Sequence, residues 1–326
     1  MENILVIRLK SIGDVIFTLP AVAALRENFP AAKITFLTSK ENAPLLCGFR
    51  EVSEVVALDR AALRGGNPLR IAPEIFRLLR RLRTGRFSLT VDFQGFGETA
   101  WLAHLTGAPQ RWGNVYGSGR SWAYSRGLVR DEKLHPADWN LQMLAQCGLK
   151  TSGIKNEFAL PAEDLATARN FFVENKLDAG RPTLLIHPFT STAQKNWPLE
   201  NFLAVARHWR ERGVQVIFAG GPADREPLGP VRAENFCVAA SQPLLVSAGL
   251  AQLATLTLGG DSGLGHLAVA QGKRVVMLMM HKNPGACVPF GHPDWAVVPP
   301  KPGRIREITL EAVLAETGRV VQGTRY

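Results

Sequence analysis

Short β-branched runs alternate with helical patterns along the whole chain, and this alternation constrains the fold more than any other feature. In the first part the runs are Ile4-Leu5-Val6-Ile7, Ile34-Thr35-Phe36-Leu37, Val55-Val56-Ala57-Leu58 and Leu89-Thr90-Val91-Asp92. Strands separated by helices close as βαβ units into a parallel sheet. The pattern loosens between Asn156 and Glu163, then restarts with Thr183-Leu184-Leu185-Ile186, a helix over Leu199 to Arg210 and Val214-Gln215-Val216-Ile217-Phe218. Next come a helix over Ala248 to Leu253, Leu256-Thr257-Leu258, a helix over Gly265 to Gln271, and Arg274-Val275-Val276-Met277-Leu278. A chain of 326 residues exceeds the usual size of one domain. The expected fold is therefore α/β, with two doubly wound parallel-sheet domains, 1–160 and 161–326. Such sheets bind ligands beyond the carboxyl ends of their strands, and a cleft between two lobes suits a two-substrate reaction.

Charge and composition narrow the function classes. The 46% hydrophobic and 20% charged balance is that of a globular protein, and no window is apolar enough to span a membrane. The start reads as a first strand rather than a signal peptide, so a cytoplasmic location is expected. Cys47, Cys147, Cys237 and Cys287 form no C-x-x-C pair, which suggests neither a disulfide framework nor a zinc site. A net charge of +10 predicts an anionic partner. Without zinc-finger spacing, an aromatic RNA-binding signature or a recognition helix, that partner is expected to be a phosphorylated substrate or lipid headgroup, not nucleic acid. Between Leu58 and Leu89, Ile71, Ile75, Leu78, Leu79 and Leu82 recur at helical spacing, with Arg70, Arg77, Arg80, Arg81 and Arg83 on the remaining positions. The arginines make either a solvated face or a patch for an anionic acceptor or bilayer.

Three strand-loop-helix junctions carry residues suited to chemistry. In Gly259-Gly260-Asp261-Ser262-Gly263-Leu264-Gly265-His266 a strand runs into an apolar helix, whose free amides, dipole and Ser262 hydroxyl suit a phosphate. Asp261 and Ser262 equally make an N-cap. Gly263-x-Gly265-x-x-Ala268 also fits a relaxed dinucleotide fingerprint, but about 20 residues on stands His281-Lys282-Asn283-Pro284, with no acid for a ribose. The second junction, His187 to Pro198, gathers Thr190, Ser191, Thr192 and Lys195 beyond a strand end, where hydroxyls and an ammonium serve a diphosphate without a metal. The third, Arg8-Leu9-Lys10-Ser11-Ile12-Gly13-Asp14, places an aspartate to take a proton, or to cap a helix, on a rim made basic by Arg8 and Lys10.

With Val91-Asp92-Phe93-Gln94-Gly95 and His135-Pro136-Ala137-Asp138, these stretches resemble glycosyltransferase family 9, the bacterial ADP-heptose:lipopolysaccharide heptosyltransferases, over Ile4 to about Pro299. Heptosyltransferase I is the subfamily most similar in length and spacing. The resemblance implies a GT-B fold, an N-terminal acceptor domain with Lys10, Ser11 and Gly13 at the acceptor, and a C-terminal nucleotide-sugar domain, with the last helix packing back on the first. It implies an inverting transfer of heptose to a Kdo or heptose hydroxyl, with Asp14 as general base and Lys195, Thr190 and Ser191 on the leaving diphosphate. Ser262, Gly263 and His266 would bind phosphate or sugar, Asp261 a heptose hydroxyl and Asp224 the ribose. No metal or other cofactor is implied. The partners implied are a nucleotide sugar and an anionic Kdo-lipid A type precursor at the cytoplasmic face of the inner membrane, met peripherally. Met279-Met280-His281-Lys282 replaces the family's Phe-Gly-Pro-Thr type turn. That difference opens an alternative, another nucleotide sugar or another acceptor; a non-catalytic nucleotide-binding protein is the further alternative.

Overall fold

The computed structural model describes residues 2–64, 68–116, 118–301 and 303–323, and it divides into two compact units, Met1–Ala159 and Leu160–Tyr326. The first unit carries β1 (Asn3–Ile7), β2 (Lys33–Ser39), β3 (Glu54–Leu58), β4 (Leu89–Asp92), β5 (Gln110–Val115) and β6 (Arg126–Val129), in the order β3-β2-β1-β4-β5-β6. The second carries β7 (Thr183–His187), β8 (Gln215–Gly220), β9 (Cys237–Ala240), β10 (Leu256–Gly260), β11 (Val275–Leu278) and β12 (Ala296–Val297), in the order β12-β11-β10-β7-β8-β9. All pairings are parallel. Each order is that of a doubly wound Rossmann sheet, and it reverses once: between β1 and β4 in the first unit and between β7 and β10 in the second. Ligand sites form at such reversals because the helices following the two strands leave in opposite directions.

The central strands are apolar on both faces because helices cover both faces. In β7, Leu184 and Ile186 join one core cluster while Leu185 joins the other, the period-two alternation a strand imposes. The first cluster also takes Trp197, whose Nε1 donates to the Ile308 carbonyl at 2.9 Å, and Trp209, whose Nε1 donates to Thr317 Oγ1 at 3.0 Å. Thr317 belongs to the last helix, Leu310–Gly323, which packs on the helix Leu199–Arg210 of its own unit. The last helix thus contributes to the C-terminal core. Its Val313 and Val321 complete the apolar face that Trp209 begins.

The basic helix is present as Pro68–Thr84. Leu78 and Leu82 pack against the first unit's core and leave Arg80 and Arg83 exposed. Arg77 pairs with Glu74 and Arg81 with Glu54. The side chain of Arg70 lies outside the described residues. No helix among the described residues is long and apolar enough to cross a membrane.

Candidate active site

In the N-terminal unit, both loops at the sheet reversal converge on Asp14. The chain leaves β1 through Arg8, Leu9 and a cis Lys10-Ser11 peptide, then enters the short helix Ile12–Ile16 with Asp14 in its first turn. Asp14 Oδ2 accepts from the Ser11 amide and hydroxyl, each at 3.0 Å, so the capping arrangement expected of this motif is present. The same oxygen meets Arg8 Nη2 at 2.8 Å. Arg8 is itself buried and fixed, since Nη1 donates to the Phe93 carbonyl at 2.7 Å and Nε to the Lys10 carbonyl at 2.9 Å. Burial alone would raise the Asp14 pKa, but the Arg8 charge and the Ser11 bonds outweigh it and hold the carboxyl below its ordinary range.

The loop after β4 supplies the frame. Gln94 Oε1 accepts from the Leu9 and Lys10 amides at 2.9 and 3.3 Å. Asp92, fully buried, accepts from the Gln94 and Gly95 amides and from the Tyr124 hydroxyl at 2.7 Å. Its pKa is raised by burial, against the pull of those bonds. Gly95 turns with φ +71°, and a Cβ there would lie 2.3 Å from the Asn114 carbonyl oxygen. Arg8 was visible in the sequence as rim charge, but its role as a buried anchor was not. Gln94 stood in a stretch already singled out, without a role; its signal was position, at the carboxyl end of the strand beside β1. Lys10 reaches over the Phe96 ring at 5.9 Å and Ser11 turns to Asp14. Gly13 lies inside the short helix.

In the C-terminal unit the corresponding loops follow β7 and β10. Asp261 leaves β10 and bridges two bases: Oδ2 meets Lys195 Nζ at 2.6 Å and Oδ1 meets His266 Nε2 at 2.9 Å. Burial would raise the Asp261 pKa; the His266 bond and charge, and then those of Lys195, reverse this and bring it down to about 2. Lys195 is 37% exposed and His266 4%. The two junctions interlock because β10 ends in glycine: a Cβ on Gly260 would lie 2.7 Å from Thr190 Cγ2. Ser262 Oγ accepts from the Gly265 amide at 3.4 Å and opens the helix Gly263–Ala270.

The expected hydroxyl cluster is divided. Thr190 Oγ1 donates toward the Asn196 side-chain oxygen and the Thr192 carbonyl, each at 2.9 Å, so this hydroxyl holds its own loop. Ser191 is exposed. Asp224 caps the Gly-Gly-Pro turn, accepting from the Gly221 amide at 2.7 Å with the carboxylate oxygen Oδ2. Its field also raises the pKa of His187, though burial lowers that pKa more. Beside Lys195 and Asp261 lies a pocket of about 220 Å³ walled by Leu278, Met279, Met280, His281 and Ile305. The Met279–His281 departure thus forms part of the pocket wall, and the sequence offered no signal for Ile305.

The sequence pattern of glycosyltransferase family 9 (heptosyltransferase) matches residues 75–302. The chain is 25% identical over 306 residues to the lipopolysaccharide core heptosyltransferase OpsX of Haemophilus influenzae, covering 90% of this chain and 83% of that protein. It is 29% identical over 302 residues to lipopolysaccharide heptosyltransferase 1 of Pseudomonas aeruginosa, covering 89% and 81%. In fold it is similar to the solved ADP-heptose lps heptosyltransferase II of E. coli, with a TM-score of 0.82 over 100% of both chains at 21% identity. Two Rossmann-like units, each with a six-stranded parallel sheet, match the GT-B type of that structure. With a family pattern spanning both units and relatives aligned along most of their length, this chain belongs to glycosyltransferase family 9 and is a glycosyl-transferring enzyme.

Proposed function

We propose that the protein transfers heptose from ADP-heptose to the Kdo or heptose inner core of a lipopolysaccharide precursor, with inversion at the anomeric carbon. The observation that carries this reading is the Asp261 bridge between Lys195 and His266, with Asp261 and Lys195 lining a largely apolar pocket. A planar base fits against Leu278, Met279 and Met280, whose thioethers suit an aromatic face. Lys195 then lies at the diphosphate and Asp261 at a sugar hydroxyl. Ser262, Gly263 and the start of the helix add amide dipole to the phosphates, and Asp224 and Ser191 complete the donor set.

Asp14 serves as the base. It takes the proton of the acceptor hydroxyl as that oxygen attacks the anomeric carbon, and the bond from that carbon to the diphosphate oxygen breaks. Lys195 offsets the charge that accumulates on the departing ADP. The low pKa of Asp14 makes it a weak base in the free enzyme but keeps it ionised across the physiological range. Lys10 and the exposed arginines of Pro68–Thr84 suit an acceptor carrying carboxylates and phosphates at an anionic membrane face. The residues proposed here act without a bound metal.

The test incubates the enzyme with ADP-heptose and a Kdo-lipid A acceptor, measuring ADP release and the anomeric configuration of the product. Release of ADP with a product of inverted configuration is expected; a retained configuration overturns the mechanism, and no turnover overturns the substrates. The altered Met279–Lys282 wall favours one second reading, a different nucleotide sugar. Calorimetric titration with ADP, UDP and GDP decides it, with ADP expected to bind tightest.

A further inference from the structure

The proposed mechanism uses Asp14 and Arg8 but leaves unused a buried polar cluster at the end of β4. Asp92, Asn114 and Gln94 are 0%, 0% and 1% exposed, and Tyr124 is 7% exposed. Burying such groups costs stability unless each is paired, and here each is. Asp92 Oδ1 accepts from the Gln94 amide at 2.8 Å and the Gly95 amide at 3.0 Å, a turn that sets the direction of the Gln94 side chain. That side chain then has one orientation. Its Oε1 accepts from the Leu9 and Lys10 amides, while Nε2 donates to Glu98 Oε1 at 3.2 Å. Glu98 is held in turn by Arg60 Nη2 at 2.8 Å. A flipped amide would set its NH2 group against two N–H donors and its oxygen against a carboxylate.

The segment that Gln94 grips is the one that joins Arg8 to Asp14. After β1 the Arg8 amide donates to the Leu37 carbonyl of β2, whereas the Leu9 and Lys10 amides meet Gln94. The Leu9 carbonyl accepts from Asn42 Nδ2 at 3.0 Å, so this stretch is held by the loop after β2 as well as by the loop after β4. Asn114 Nδ2 donates to the Phe93 carbonyl at 2.6 Å, the same oxygen that anchors Arg8 Nη1. We propose that Gln94 is a positioning residue of the transfer reaction. By holding the Leu9 and Lys10 amides it fixes the loop that carries Asp14, and so the direction from which the Asp14 carboxylate meets the acceptor hydroxyl. The proposal rests on the reading of Asp14 as the base. Arg8 sets the charge of Asp14, and Gln94 sets where its loop lies. A proton passes only over a hydrogen-bond distance, so a displacement of about 1 Å costs up to about a hundredfold in rate.

The experiment measures turnover of the full chain with ADP-heptose and the Kdo-lipid A acceptor in Gln94→Met, which removes the accepting oxygen, and in Gln94→Glu, which keeps one. Turnover is expressed per ADP-binding site counted by calorimetry, so that loss of folded protein does not pass for loss of rate. Gln94→Met should lower kcat by about tenfold or more, with KM for ADP-heptose and ADP affinity at the parent values. Gln94→Glu should recover most of that loss. In the Asp14→Asn background Gln94→Met should cost less than about twofold, because a loop without its base has nothing left to aim. Equal losses in the two backgrounds, or equal losses in Gln94→Glu and Gln94→Met, overturn the proposal. Near-parent turnover of Asp14→Asn overturns the base reading itself, whereas a large Asp14→Asn loss beside an unchanged kcat in Gln94→Met overturns the proposal alone. If Gln94→Met does not fold, Gln94→Asn, shorter by a methylene, carries the same readout.

Discussion

Asp14 and Asp261 each lie at a sheet reversal, Asp14 in the short helix after the first strand of its unit and Asp261 directly after the fourth strand of its own, and each contacts a basic side chain, but the contacts differ in kind. Arg8 is buried and tied to two backbone carbonyls, so Asp14 cannot lose its cation without rebuilding the loop. Lys195 is a partly exposed ammonium on a flexible stem, so it can leave Asp261 for another anion. One carboxylate is held in a fixed state; the other holds a cation in reserve. A proton acceptor needs a defined position and charge, whereas a diphosphate site needs a cation that moves onto the ligand and leaves a carboxylate open to a hydroxyl.

The comparison breaks most sharply at Asp14. In Asp14→Asn turnover should fall by about a thousandfold while ADP binding, measured by calorimetry, stays at the parent value; near-parent turnover in a folded variant removes Asp14 as base. Next, Lys195→Ala should lower kcat by about a hundredfold, with Lys195→Arg recovering part of it, and an unchanged kcat would leave the ammonium without a catalytic part. In Arg8→Met, kcat/KM should fall by about tenfold, the order of one lost charge-assisted hydrogen bond. The acid limb of its pH profile should also move up. The sign follows from Asp14's lowered pKa: the parent carboxylate stays ionised below its ordinary range, and without Arg8 it takes up a proton at a higher pH. An unmoved limb would mean that Arg8 only supports the loop. The smallest effect is at Asp261. Asp261→Asn releases Lys195, so ADP affinity should rise by about fivefold while KM for the nucleotide sugar also rises; weaker ADP binding would show that the bridge orients Lys195 rather than competing with the phosphates.

The same pair shows what was legible in advance. Asp14, Lys195, Asp261 and His266 were all readable, because each stands in a strand-loop-helix junction whose residue types announce a cap or an anion site. Their pairing was not. The Lys195 to Asp261 contact spans 66 positions and exists because β7 and β10 are neighbours in the sheet. At Thr190 the structure adds a contact that hydroxyl spacing did not announce: Asn196, six residues on, accepts from the Thr190 hydroxyl. Strands β5, β6, β9 and β12 escaped the pattern because their burial is mixed or their length short, as in the exposed Arg126–Val129 and the two-residue Ala296–Val297.

The sequence by itself determined the alternation of strands and helices, the restart near residue 160 and the residues at the three junctions, because period, turn chemistry and capping are local. The tertiary structure decided which junctions meet, that Arg8 is an anchor and Lys195 is partly exposed, that Ile305 lines the pocket and that the last helix contributes to the C-terminal core. Those depend on strand order and on burial, which join residues far apart in the chain and set how strongly each charge is held.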